Sequence, residues 1–157
     1  MFWILIKFIN QNQTKPKMKT WVHFLVSAIL AILLYPAFDW KALFIIAGGV
    51  LIDIDHYLWH IYKYKNFNLF EVYRFFIKNI EINDYGNVIG ILLIFHTIEF
   101  LLVMAFLSFY FKSVFAFTIG LSSHYLLDLI FLCFVAKRVI VNHSIVNWIL
   151  KNLIQKV

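Results

Sequence analysis

Asp53-Ile54-Asp55-His56 closes an apolar run of 18 residues, 42–59, and the fold turns on how that stretch is read. Two more apolar runs carry similar polar groups. His96-Thr97-Ile98-Glu99 lies inside 88–111, and His124-Tyr125-Leu126-Leu127-Asp128 lies inside 114–136. A further run, 21–38, has His23 near its start. Ionisable side chains in runs of this kind are expensive to bury, mark function by default and need a partner. A divalent metal ion is a partner that all of them can share.

The rest of the composition agrees with membrane helices. The chain is 63% hydrophobic and 14% charged, whereas soluble domains are about 45–50% apolar and about a quarter charged. The four runs are close to the roughly 20 residues that cross about 30 Å of hydrocarbon. Backbone groups in lipid must be satisfied within the segment, so the runs should be helices. The expected fold is therefore all-α, an integral membrane bundle of four transmembrane helices. Amphipathic stretches at about 68–82 and 139–155 should lie at the interface, with Leu69, Phe70, Tyr73 and Phe76 on one face of the first. Residues 18–157 form one membrane domain. Residues 1–17 read as a tail that lacks the features of a signal peptide, and Met18 reads as a natural start. Cys133 is the one cysteine, which excludes an intrachain disulfide.

The formal charge of +6 does not point to nucleic acid, since the bases form no basic face or nucleic-acid motif. With four spans, the N-terminal tail, the 60–87 connection and the C-terminal tail share one side, and they hold 12 of the 14 Lys and Arg residues. Lys41 and Lys112 alone fall on the other side. This bias predicts a multi-pass protein of a cell membrane, the inner membrane where there are two, with both termini in the cytoplasm. Tyr57, Trp59, Tyr62 and Tyr64 fit an aromatic belt at that boundary, and membrane lipid is the expected partner. His60 and His143 read as hydrogen-bonding or interface residues. Gly86-x-x-x-Gly90 matches a small-residue motif that would allow a homo-oligomer, and Gly48-Gly49, Gly120 and Ser122-Ser123 read as close helix contacts.

This topology places the polar groups at one depth, roughly 3 to 18 Å from the cytoplasmic end at about 1.5 Å per residue. Asp53 and His56, and likewise His96 and Glu99, are three residues apart, while His124 and Asp128 are four apart, so each pair would share a helix face. The candidate metal ligands are His23, Asp53, Asp55, His56, His96, Glu99, His124 and Asp128. Mixed imidazole and carboxylate ligands suit Zn best, with Mn or Fe as alternatives. The set is too large for one tetrahedral zinc, so it implies two or more ions, or one ion with carboxylates behind its ligands. Asp55 and Glu99 are the candidate general bases for hydrolysis. Two readings compete with an enzyme: a metal-binding or transport protein without catalysis, and a metal-free scaffold packed by polar contacts. The apolar outer halves of the runs speak against transport, because a path needs polar groups at all depths.

Gly49-Val50-Leu51-Ile52-Asp53-Ile54-Asp55-His56, the helix that His96 opens, and Gly120-Leu121-Ser122-Ser123-His124-Tyr125-Leu126-Leu127-Asp128 together resemble the inner-membrane metal-dependent hydrolase family (YdjM-like). Met18-Lys19-Thr20-Trp21-Val22-His23 is similar to the start of its members. The resemblance covers roughly residues 18–136. It extends distantly to zinc-dependent phospholipase C-like proteins, and so implies a metal-dependent hydrolase acting on a phosphoester or lipid-like substrate from the cytoplasmic side. The chain departs from the family at Ile52, where a proline is common, and around His96, where a second histidine and an arginine are absent.

Overall fold

The computed structural model describes residues 20–81, 92–131, 133 and 144–154, and among these every regular element is helical. The expected tail, Gly86-x-x-x-Gly90, His143 and the ends of the third and fourth runs lie outside the described residues.

Helix α1 spans Thr20–Phe38 and carries Pro36 in its last turn. Proline cannot donate the next backbone bond, and the helix stops two residues later. Asp39 then takes a left-handed conformation (φ 53°), which aspartate tolerates better than most residues. A 3₁₀ turn, Asp39–Ala42, leads into α2, Leu43–Val50. The helical run Thr20–Tyr64 is therefore folded back on itself at Asp39, and Gly49 of α2 meets Ser27 of α1.

The 42–59 run is not one helix. After α2, Val50 leaves helical geometry (φ −127°, ψ −46°), Leu51–Asp53 form a 3₁₀ turn, and α3 begins anew as Ile54–Tyr64. Lys65 ends α3 in a left-handed conformation (φ 55°), its N–H bonded to the Ile61 carbonyl. Asn68 then accepts from the Phe70 and Glu71 amides and caps α4, Leu69–Glu81.

The described part of the 88–111 run is not one helix either. Ile94–His96 form a 3₁₀ turn, Thr97 is extended, and α5 occupies Ile98–Leu107. The Thr97 hydroxyl caps it by accepting from the Phe100 amide. A turn leads to α6, Lys112–Ile130, and the last described helix is α7, Ile145–Ile154.

The interior is thin. Ala31, Phe38, Ala42, Ile45 and Ala116 form its apolar core, with α2 lying between α1 and α6. Three glycines let the backbones touch. A Cβ on Gly48 would overlap the Phe117 carbonyl, one on Gly49 the Ser27 side chain, and one on Gly120 the Ile45 carbonyl. Membrane helices associate through such small-residue seams.

Two helical runs, Thr20–Tyr64 and Lys112–Ile130, are long and apolar enough to cross a membrane. Only 22% and 28% of their apolar windows are buried. Ile32 is 74% exposed, Leu33 68% and Leu43 64%, and apolar surface that extensive is atypical of a soluble monomer.

Candidate metal centre

The two breaks described above place the polar groups. Asp53 ends the 3₁₀ turn before α3, Asp55 and His56 lie in the first turn of α3, and His96 ends the 3₁₀ turn before α5. His23 comes from the first turn of α1, and His124 and Asp128 come from α6. These seven side chains form three overlapping groups able to hold a metal ion: His23, His124 and Asp128; Asp53, His96 and His124; Asp55, His56 and His96. Within each group the ligand atoms lie within 4.8 Å of one another.

Apart from the looser His56 Nδ1 to Asp53 Oδ1 contact at 3.8 Å, the distances fall into two classes. His96 Nε2 is 3.4 Å and His124 Nε2 is 3.6 Å from Asp53 Oδ1. His124 Nε2 is 3.2 Å from Asp128 Oδ2, and His23 Nε2 is 3.4 Å from Asp128 Oδ1. Two ligand atoms about 2.1 Å from one tetrahedral ion are about 3.4 Å apart, so these four contacts have the spacing of neighbouring ligands. The Asp55 contacts are shorter. Its oxygens lie 2.9 Å from His56 Nδ1 and 3.0 Å from His96 Nδ1, and Oδ2 also accepts from the Phe95 amide at 3.1 Å. These are hydrogen-bond lengths.

An ionised carboxylate only accepts, so in the bond to Asp55 the ring hydrogen of His96 sits on Nδ1. The Nε2 of His96 is buried and has no hydrogen-bond partner. The His124 ring is held the same way, with Nδ1 bonded to the Gly49 carbonyl at 2.8 Å and Nε2 turned toward Asp53 and Asp128. Metal-binding histidines are commonly fixed by such a partner on the far nitrogen. His23 stacks on His124, with ring centroids 3.9 Å apart. Asp53 and Asp128 are 32% and 31% exposed, so the centre is open at these carboxylates. The buried histidine and aspartate groups can hold a metal ion.

Glu99 lies apart from the three groups. Its carboxylate accepts from the Ser144 hydroxyl at 2.7 Å and from the Ile145 and Val146 amides at 3.1 and 3.3 Å, at the start of α7. The three-residue spacing from His96 does not put the two on one face, because Thr97 between them is extended. Asp55, the other expected base, has both oxygens engaged. The spacing patterns missed Tyr125, whose hydroxyl reaches the Phe95 and Thr97 carbonyls at 2.9 and 2.8 Å and ties α6 to the turn that carries His96. Its place beside His124 was the available hint. His60 is buried against Tyr64 and Phe75, away from the centre, and its Nδ1 has no hydrogen-bond partner.

No family model matches the chain, and neither a curated protein nor a solved structure matches it.

Proposed function

We propose that this chain is a multi-pass membrane protein whose histidine–aspartate centre binds a divalent cation, with hydrolysis of a phosphoester or lipid-like substrate as its activity. The observation that carries the metal reading is the pair of fixed imidazoles. His96 and His124 are each held at Nδ1, and both turn Nε2 toward Asp53. A network built only for packing would be expected to satisfy the buried Nε2 of His96. Asp53, His96 and His124, with His23 and Asp128 beside them, would be the ligands, and zinc suits this donor set, with manganese or iron as alternatives. Asp55 would orient His96 and His56.

When bound, the ion would supply Lewis acidity and lower the pKa of a water. The proton-accepting role would fall to an oxygen of Asp53 or Asp128 that the ion leaves uncoordinated, since Asp55 and Glu99 are committed elsewhere. Four spans, both termini in the cytoplasm and kinship with the YdjM-like hydrolases complete the reading; they rest on the lysine and arginine bias and on the resemblance of the motifs.

The test is metal content by mass spectrometry on detergent-purified protein, wild type beside Asp53→Ala/His124→Ala. We expect at least one zinc, manganese or iron per wild-type chain and its loss from the variant while helicity is kept. A wild type that takes up no metal in the presence of ample supply would leave a packed polar scaffold as the better reading and remove the basis for hydrolysis.

A further inference from the structure

The α3–α4 corner carries a second unanswered set of charges. Lys63 Nζ lies 4.9 Å from the Trp59 ring and 5.4 Å from the Tyr64 ring. Lys65 Nζ lies 5.2 Å from the Tyr62 ring, and the Arg74 guanidinium 5.9 Å from the Phe70 ring. No carboxylate among the described residues pairs with Lys63, Lys65 or Arg74. The nearby Glu71 carboxylate accepts from the Asn66 side chain. Around these cations the surface is aromatic and open, with Tyr62 77% and Phe70 72% exposed.

We propose that this corner is a binding site for the headgroups of anionic phospholipids. The inference rests on the membrane reading given above. Aromatic rings at this position would enter the headgroup layer, and cations laid over them would be held at phosphate level. A lysine or arginine near an anionic leaflet is attracted to it, and the attraction is largest where no acid within the protein competes. The site also has a consequence for the metal centre. Asp53 and Asp55 open the same helix that ends at Lys63 and Tyr64, roughly 15 Å along at about 1.5 Å per residue. Anionic phospholipid would thus be concentrated beside a centre proposed to cleave phosphoesters.

The experiment uses the full chain. Floatation with phosphatidylcholine vesicles first establishes insertion. Native mass spectrometry then counts retained phosphatidylglycerol against phosphatidylcholine for wild type, Lys63→Gln/Lys65→Gln/Arg74→Gln, and the charge-keeping Lys63→Arg/Lys65→Arg/Arg74→Lys. Lys41→Gln/Lys112→Gln is the matched control, because these lysines also lie over rings, those of Trp40 and Phe38, at the opposite end. We expect phosphatidylglycerol to be preferred by up to about fivefold per cation. The preference should be lost in the glutamine triple variant, kept in the charge-keeping variant, and kept in the control. A wild type without preference, or a triple variant that keeps it, overturns the proposal while insertion stands. Competition by soluble glycerol phosphate at equal concentration would also overturn it, since the site would then recognise free phosphate rather than lipid. A protein that does not float with any vesicle breaks the membrane reading itself.

Discussion

The glycine seam and the histidine–aspartate centre share α6 and lie about one turn apart along it, yet they are closed in opposite ways. Gly49 and Gly120 meet backbone to backbone. Four residues on from each are Asp53 and His124, where side chains face each other across ligand-like gaps. The seam is complete with the atoms of this chain. The centre has two buried ring nitrogens, His96 Nε2 and His23 Nδ1, that have no hydrogen-bond partner. The difference teaches a dependence of one on the other. The close approach in the seam is what brings His124 Nδ1 to the Gly49 carbonyl, so the centre needs the seam, but the seam does not need the centre.

The largest effect should come from breaking the seam. Gly120→Val forces a side chain into the Ile45 carbonyl and the Gly49 amide. Overpacking costs about 1–3 kcal/mol, and each kcal/mol lowers Tm by about 2–4 °C at this chain length. Thermal melting and metal content should fall together. A variant that melts early but keeps its metal would uncouple the two regions.

Asp55→Asn probes the centre alone. Asn keeps the shape and loses the charge that fixes His96 and His56. Metal affinity should weaken by about 10- to 100-fold, the usual effect of removing a partner behind a ligand, while melting of the metal-free protein barely changes. Complete loss of binding in a competition titration would make Asp55 a ligand in its own right.

The smallest effect is expected from Glu99→Ala. Removing the acceptor at the start of α7 should cost about 1 kcal/mol, as for other helix caps. It should speed amide hydrogen exchange at Ile145 and Val146 and leave metal content unchanged. Loss of metal would return Glu99 to the centre.

How far the sequence can be read depends on where the helices break. Four-residue spacing along unbroken α6 places His124 and Asp128 in contact at 3.2 Å, because helix geometry holds between them. The same reasoning fails for His96 and Glu99, since extended Thr97 resets the phase. All-helical structure follows from the apolar runs, but the interruptions at Val50 and Thr97 leave no mark in hydropathy. Nothing in the sequence shows that Asp55 sits behind the histidines while Asp53, two residues away, faces the gap. That distinction arises from the 3₁₀ turn ending at Asp53 and from the Phe95 amide, which approaches from a segment 40 residues away.

The bond from His124 to the Gly49 carbonyl joins residues 75 positions apart. The contact from His96 to Asp55 spans 41, and His23 meets Asp128 across most of the described chain. None of these pairings is local, so no nascent fragment ending before α6 carries the assembled set. Until α6 is made, His23 lacks Asp128 and Asp53 lacks His124, whereas Asp55 and His56 can already pair with each other. If the centre binds an ion as proposed, capture would follow the docking of α6, and a loaded centre would report that this helix has docked.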